Sequence, residues 1–422
     1  MVEYQTVSRL LFLSAMQILI PAVLVITTPK GSPLRYLSIP CMIWVLSLML
    51  YPVEKPSYLA VNSAGGGWIG IISALDVLLI NPKYAGDFVN ADGKIQSLFS
   101  RLRSTLELMA NQRKLNTPRE AKNTPSPPKY YSKRRPKTIT RGRFLIRETA
   151  IAVWQYLALD IFTLQAAKSA LKKKEEEERV LNFSGAPENS RVELWIEQVI
   201  TALVAWFVVT RILISFYYRS LSILCVALGL ESPEMFPPLF NKMADAYTLR
   251  NFWGKFWHQN LRVNFTAVSN FITRKILGLP KPSVLERYTN VLLVFFLSGV
   301  LHITTDVVSN IPIRESGAMT FFLSFTVGYM IEDGVQAAWK QVHGSQKARE
   351  EPELWKKAIG FVWVVAFLAV TSTGYFRPAL KRPESQVAMV PWSVAEIIGL
   401  DVVVGMVAFG GIFLKLVFKC EI

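Results

Sequence analysis

Nine apolar runs constrain the fold of this chain more than any other feature. A run of about 20 apolar residues can cross a bilayer as an α-helix. The runs therefore predict an all-α integral membrane protein, a bundle of about eight or nine transmembrane helices with further helices at the interface. They cover residues 10–28, 36–51, 66–80, 149–170, 194–216, 288–308, 317–331, 358–373 and 394–418.

Two of these runs have special features. The first, 10–28, has no basic segment before it and is followed by further spans, so we expect a retained transmembrane helix and no cleavage. The third, 66–80, is short, begins within Gly65-Gly66-Gly67 and contains Asp76. We expect it to be re-entrant or packed deep in the bundle, because irregular or polar segments at bilayer depth need protein around them.

Composition supports the membrane assignment. The 422 residues are 51% hydrophobic, and the mean hydropathy of +0.29 is too high for a soluble protein of this size. The net charge of +16 lies in loops between apolar runs, and no nucleic-acid-binding module is recognisable, so we expect the lipid bilayer and not nucleic acid as a partner. The three cysteines, Cys41, Cys225 and Cys420, are widely separated, so neither a disulfide framework nor a metal site is predicted.

The loop 101–147 decides the topology. It holds fourteen Lys or Arg residues against two Glu, together with five prolines. By the positive-inside rule it is predicted to be a basic, partly flexible cytoplasmic loop. Counting spans from there places Asn182-Phe183-Ser184 in the lumen, where Asn182 is a predicted glycosylation site. No long polar module interrupts the runs, so we predict a single domain over 1–422.

The stretch from Asn251 to Gln259 combines basic and aromatic residues. At helical spacing its polar residues form one stripe and its aromatic residues another. The polar stripe contains Asn251, Lys255, His258 and Arg262, and the aromatic stripe contains Phe252, Trp253, Phe256 and Trp257. Such a helix is typical of a membrane interface, where indole rings rest among the headgroups and cations stay hydrated. The pattern predicts that His258 lies at that boundary.

A second histidine, His302, lies inside the apolar run 288–308. An imidazole at this depth indicates a functional site, because a polar group in a membrane span is costly unless it faces a cavity or a partner. From the spacing alone, a buried imidazole satisfied by a neighbouring helix fits equally well.

Together the two stretches resemble the wax-synthase-like branch of the membrane-bound O-acyltransferase superfamily. Its members carry a Phe-Trp or Phe-Tyr motif that ends in Trp-Asn or Trp-His, followed by an apolar Phe-x-x-Ser-Gly/Ala-x-x-His segment. Here these motifs are residues 252–259 and 295–302, within a motif-bearing region at 240–310. The form Trp257-His258-Gln259 resembles fungal members that acylate secondary metabolites.

The resemblance implies transfer of an acyl group, with acetyl expected, from acyl-CoA to a hydroxyl of a terpenoid or polyketide-type metabolite. Acyl-CoA would be a co-substrate and not a permanently bound cofactor. His302 is expected to be the general base, because a neutral imidazole is available near pH 7. His258 is the second predicted catalytic residue, and with Gln259 it would donate to the thioester carbonyl or fix the thioester. Ser298 is expected to serve helix packing, so we predict direct attack by the acceptor.

Five further residues are predicted to bind substrate or to orient the base. Lys255 and Arg262 would pair with the phosphates of coenzyme A, and Trp253 and Trp257 would line the binding region. Asp306, one helical turn beyond His302, is predicted to orient its imidazole.

Three alternatives remain open at this point. A wax-ester synthase would act on long-chain alcohols, a transporter would relay protons through His302 and buried Asp residues, and a structural membrane protein would need no paired histidines. The predicted location is a multi-pass position in the endoplasmic reticulum.

The charge of the 101–147 loop generates a prediction about topology. In sealed microsomes, protease added outside should cut the loop, since fourteen cations hold it in the cytoplasm. The measurement is the fragment pattern on an immunoblot, and a lumenal reporter protein serves as the control. A loop that is protected until detergent is added would overturn the assignment of every span.

Overall fold

The computed structural model describes residues 2–51, 56–90, 93–131, 139–180, 190–347, 352–380, 382 and 389–420. The regular elements within these ranges are helical, apart from an isolated bridge between Val89 and Ile95. The all-α prediction is confirmed. The α-helices are α1 (Val2–Thr27), α2 (Pro33–Met49), α3 (Tyr58–Leu75), α4 (Leu98–Ala110), α5 (Arg141–Val180), α6 (Ser190–Leu203), α7 (Thr210–Ala227), α8 (Leu249–Asn251), α9 (Arg262–Phe271), α10 (Val284–Val308), α11 (Ala318–Lys347), α12 (Leu354–Leu380), α13 (Val394–Ile398) and α14 (Leu400–Phe418).

Several of these helices are continued by π-helical segments, in which the chain makes a wider turn than in an α-helix. Asp76–Ile80 continues α3, Val204–Val209 joins α6 to α7, Phe252–Phe256 continues α8 and Ile272–Ile276 continues α9.

Helices lie at all nine predicted apolar runs, and the last run is divided at Gly399, whose φ of 98° ends α13. Six described helical stretches are long and apolar enough to cross a membrane, so the multi-pass character is confirmed. The total of eight or nine spans stays a prediction. The six are Thr6–Thr27, Tyr58–Ile80, Trp195–Ala227, Val284–Val308, Leu354–Ala379 and Leu400–Phe418.

The chain forms two compact units. The first consists of Met1–Lys122, Asn260–Asp333 and Gly374–Val387, and the second of Asn123–Gln259, Gly334–Thr373 and Ala388–Ile422. The single-domain assignment of 1–422 stays a prediction.

The first unit is built around α3, which packs on α1, α2 and α10. Tyr58–Ile80 is the most buried of the six stretches. Its small residues permit this, because a Cβ added at Gly65 would already touch Leu301 and one added at Gly67 would press on Leu46. The third apolar run is therefore packed deep in its unit.

Asp76, at the start of the π-helical end of α3, has a structural role. Its carboxylate is fully buried and accepts two hydrogen bonds from Arg119, at 2.9 and 3.0 Å, and one from Asn81 at 2.6 Å. A buried carboxylate is tolerated when it is paired and hydrogen-bonded in this way. Arg119 thereby fixes part of the basic loop to α3.

The basic loop is helical at both ends and, in its described middle part, folded. Helix α4 covers its beginning, and α5 starts at Arg141. Between them, Arg113 and Lys114 are only 3% and 2% exposed, and the Lys114 ammonium donates to the carbonyl of Leu108 at 3.0 Å. Burial lowers the pKa of Lys114 to about 8. Residues 132–138 lie outside the described part, and the cytoplasmic position and flexibility of the loop stay predictions.

In the second unit, α5 packs on α7 and α14. Trp154 of α5 donates its indole N–H to the carbonyl of Val407 at 2.8 Å. Asp160, one helical turn and a half further along, accepts the backbone N–H of Ala395 at 2.8 Å and so holds the first turn of α13. This charge inside an apolar run is thus a helix-capping group.

A buried ionic cluster at the start of α5 ties the end of the chain to the second unit. Glu148 pairs with Arg147 at 2.5 Å and also with Arg219, and it accepts the hydroxyl of Tyr131 at 3.2 Å. Arg147 also donates to the sulfur of Cys420 at 3.4 Å. Burial raises the pKa of the Cys420 thiol.

Arg35 plays a comparable part in the first unit. The residue is fully buried near the start of α2. Its guanidinium donates to the hydroxyl and the carbonyl of Thr28, at 2.9 and 2.8 Å, and to the carbonyl of Leu78 at 3.4 Å. A cation at the end of α1 satisfies carbonyls that the helix leaves without a partner.

We therefore expect Arg35→Ala to destabilise the protein by about 1–3 kcal/mol, because it leaves these buried carbonyls unsatisfied. Arg103→Ala is the control, since Arg103 is an exposed residue of the same unit whose ion pair with Glu107 is of a kind worth at most about 0.5 kcal/mol. The measurement is the thermal unfolding midpoint of detergent-purified protein. Equal midpoints for the two variants would remove Arg35 from this role.

Candidate active site

The helix α10 carries His302, and its own sequence explains where it begins. Ser283 accepts the backbone N–H of Glu286 at 3.1 Å, which caps the first turn, and Glu286 lies favourably at the positive end of the helix dipole. The largely apolar run 288–308 follows. His302 is thereby fixed in the second half of a span.

Among the described residues, the imidazole of His302 has one polar partner, the hydroxyl of Tyr375 on α12, which lies 2.9 Å from Nδ1. Either atom can donate, depending on which tautomer the imidazole adopts. The ring of Phe322 stacks on the imidazole with centroids 4.6 Å apart and an angle of 18°. The imidazole is thus held on one edge by a hydrogen bond and on one face by an aromatic ring.

Tyr375 is held by a second aromatic ring of α11, next to Phe322 in the sequence. Phe321 stacks on it with centroids 5.0 Å apart and an angle of 13°, and both Phe321 and Phe322 are at most 2% exposed. The imidazole and the phenol ring themselves meet edge to face, with centroids 5.8 Å apart. Adjacent residues of α11 therefore hold the two hydrogen-bonded rings.

Asp306, predicted to orient the imidazole, makes its hydrogen bond elsewhere. Its Oδ2 accepts the hydroxyl of Ser316 at 2.6 Å, and the same hydroxyl accepts the N–H of Ala318 at 3.3 Å. Asp306 thus stabilises the start of α11. The orienting contact comes from Tyr375, which the sequence analysis missed because it is 73 residues away and belongs to no local pattern.

Ser298 behaves as expected for a packing residue. Its hydroxyl donates to the carbonyl of Val294 at 3.2 Å, one turn back on α10.

The segment 251–259 does not form the continuous amphipathic helix that its spacing predicts. The π-helical turn Phe252–Phe256 ends at Trp257, which is extended with φ −70° and ψ 152°, and the next helix starts at Arg262. The prediction of one polar stripe through Lys255, His258 and Arg262 was therefore wrong. A wide turn closed by the N–H of Trp257 on the carbonyl of Phe252, at 2.7 Å, replaces it.

The aromatic residues of this segment are buried within the second unit and do not form an interfacial stripe. Phe252 and Phe256 are 0% exposed and Trp257 is 5% exposed. They pack on Trp206 and Phe207 of the π-helical segment Val204–Val209, with centroid distances of 5.4 to 5.5 Å. Burial of this much aromatic surface makes the segment a core element.

His258 lies beside this aromatic core. Its ring is 5.7 Å from that of Trp257 and 5.9 Å from that of Phe240, which it meets edge to face. Trp253, half-buried, meets Trp206 and Trp257 edge to face, with centroids 6.3 and 5.5 Å apart. The structure thus brings together three predicted site residues, Trp253, Trp257 and His258.

Gln259 and two asparagines hold the backbone of the segment. The amide of Gln259, 1% exposed, donates to the carbonyls of Trp253 and Trp257 at 3.1 and 2.5 Å. Asn123 donates to the carbonyl of Gly254 at 2.7 Å, and Asn241 to that of Lys255 at 3.0 Å. The side chain of Lys255 itself is exposed.

Arg262 belongs to the first unit, together with His302 and Asp306. Its guanidinium donates to the carbonyl of Lys122 at 3.5 Å, and burial lowers its pKa. Asn182, the predicted glycosylation site, lies outside the described residues.

Comparison with known proteins places these features in a family. A family model described as membrane-bound O-acyl transferase matches residues 236–324, which include both histidine-bearing segments. Acetyltransferase atnC of Arthrinium sp. is 39% identical over 98% of this chain and 97% of its own length. Two Aspergillus fumigatus proteins, acetyltransferase spyB and acetyltransferase pyr8, are 34% and 35% identical over 96% and 90% of this chain and 70% and 89% of their own lengths.

The chain therefore belongs to the membrane-bound O-acyltransferase family. It is an O-acyltransferase, so the predicted enzyme class is confirmed and the transporter and structural-protein alternatives are set aside. No solved structure matches the chain.

The close approach of Gly317, which directly precedes α11, to Gly374 of α12 generates a prediction about stability. A Cβ added at Gly317 would overlap the backbone of Gly374, so Gly317→Ala should force the two helices apart and destabilise the protein by about 1–3 kcal/mol. Gly374→Ala is the matched control, because a Cβ there meets open space. The measurement is the thermal unfolding midpoint of both variants, and a Gly317→Ala protein as stable as the control would contradict the contact.

Proposed function

We propose that this chain transfers an acetyl group from acetyl-CoA to a hydroxyl of a terpenoid or polyketide-type secondary metabolite, with His302 as the general base. The observation that carries the proposal is the imidazole of His302, fixed in a membrane span by Tyr375 and Phe322. The names of the relatives, all acetyltransferases, favour a short acyl group over the long chains of wax esters.

In the proposed reaction the acceptor alcohol gives its proton to a lone pair of the His302 imidazole while its oxygen attacks the thioester carbonyl. The tetrahedral intermediate then collapses, the carbon–sulfur bond breaks, and the coenzyme A thiolate takes the proton from the imidazolium. The products are the acetate ester and free coenzyme A, and the imidazole is neutral again. Direct attack needs no acyl-enzyme, in agreement with the packing role of Ser298.

The stacking of Phe322 and the apolar surroundings of α10 suit this chemistry. A water-poor chamber prevents hydrolysis of the thioester and strengthens electrostatic interactions with the oxyanion that forms. The chain supplies such surroundings through Phe321, Phe322 and Phe325, which are at most 2% exposed.

The second histidine is proposed to assist the thioester. His258, held beside Trp257 and Phe240, would donate to the carbonyl as it becomes an oxyanion. Gln259 would act by maintaining the turn that carries His258, and Trp253 and Trp257 by shaping the binding surface. Lys255 and Arg262 would pair with phosphates of acetyl-CoA, Arg262 being the better desolvated of the two.

We further propose a location in the endoplasmic reticulum membrane, with Asn182 glycosylated in the lumen.

The test of the proposed base is His302→Ala. Purified protein is supplied with acetyl-CoA and a panel of terpenoid and polyketide alcohols, and ester formation is followed by mass spectrometry. Turnover should fall by about 10² to 10⁴, since the positioned proton transfer is lost. His343→Ala is the matched control, because His343 is an exposed histidine stacked on Trp339, and it should retain parental turnover.

The same assay also identifies the acyl group that the protein transfers. Palmitoyl-CoA and long-chain alcohols are offered in parallel, and a preference for them would make the protein a wax-ester synthase. A stable, monodisperse His302→Ala protein with parental turnover would remove His302 from the mechanism.

A further inference from the structure

Tyr375 lies on the membrane-spanning helix α12 and contacts the imidazole of His302 on α10. Its ring is held by Phe321, and its hydroxyl points at Nδ1 of His302 over 2.9 Å. A hydroxyl in apolar surroundings is stabilised by a hydrogen-bond partner, and this one makes the only polar contact of the imidazole ring among the described residues.

This contact decides which nitrogen of His302 is available for chemistry. A neutral imidazole carries a proton on one nitrogen and a lone pair on the other. Because Nδ1 is bonded to Tyr375, the nitrogen left for the substrate is Nε2. A base at Nε2 requires the tautomer in which Nδ1 is protonated, and that tautomer donates to the phenol oxygen.

We propose that Tyr375 is the positioning residue of His302: its hydroxyl oxygen accepts the Nδ1 proton and so presents the Nε2 lone pair to the acceptor alcohol. The inference rests on the proposed function of His302 as the base. The same hydrogen bond gains strength when Nε2 takes the proton, because the donor is then a cationic imidazolium. Such an interaction is stronger in the transition state than in the ground state, so it acts on turnover and not on substrate binding.

A phenol suits this place better than a carboxylate does. An ionised carboxylate beside the imidazole would have to be desolvated in apolar surroundings, at a much higher cost than a neutral hydroxyl. The nearby Asp306 is engaged by Ser316 at 2.6 Å. The chain thus has a carboxylate one turn from His302 and still uses tyrosine for the contact.

The test is Tyr375→Phe, which keeps the ring that stacks on Phe321 and removes the hydroxyl alone. Turnover should fall roughly 10- to 100-fold, while KM for acetyl-CoA and the thermal unfolding midpoint stay at parental values. Tyr288→Phe is the matched control. It removes a hydroxyl of α10 that donates to Asp333 of α11 at 2.7 Å, and it should leave turnover unchanged.

A double-mutant cycle separates a positioning role from a merely structural one. Tyr375→Phe should have no further effect in the His302→Ala background, because it acts only through the imidazole. An equal loss in both backgrounds would overturn the inference, as would a raised KM with parental turnover.

The same experiment distinguishes failure of the inference from failure of the proposed function. If His302→Ala retains parental turnover, the base itself is wrong and the inference falls with it. If His302→Ala is inactive and Tyr375→Phe is fully active, the proposed function stands and the inference alone is overturned.

Discussion

The structure depends on one constraint: a polar group at bilayer depth must find its partner within the protein, because the lipid offers none. Asp76 binds Arg119, Asp160 binds the first turn of α13 and His302 binds Tyr375. Arg35, just before the second apolar run, binds carbonyls at the end of α1 in the same way. Each of these contacts joins segments that are distant in sequence or separated by a turn. The few polar residues of the spans therefore act as fixed points that set how neighbouring helices pack.

In the proposed mechanism the same constraint serves chemistry. The hydroxyl of Tyr375 occupies Nδ1 of His302, and the proposed reaction uses the opposite nitrogen. The aromatic rings of Phe321 and Phe322 stack on the two partners and hold them at defined angles. The contacts that join α10, α11 and α12 here are thus the same ones that the proposed mechanism uses.

The structural features that depend on local composition could be predicted from the sequence. The apolar runs became helices, the Gly-rich third run became the most deeply buried span, and the two histidine motifs identified the family. The features that depend on contacts between distant residues could not be predicted from the sequence. The helical spacing around His258 was interrupted by a π-helical turn, because Asn123, Asn241 and Gln259 bind the backbone there. Tyr375 was missed because it lies two residues beyond the predicted run 358–373 and belongs to neither histidine motif.

Two adjacent phenylalanines of α11 link the position of this helix to the contact between His302 and Tyr375. Consecutive residues of an α-helix point about 100° apart, so Phe321 and Phe322 face different neighbours, one toward Tyr375 on α12 and the other toward His302 on α10. The first turn of α11 consequently contacts both helices. Any sliding or rotation of α11 shifts both stacked rings at once, so the hydrogen bond between phenol and imidazole responds to the position of a helix that takes no part in it.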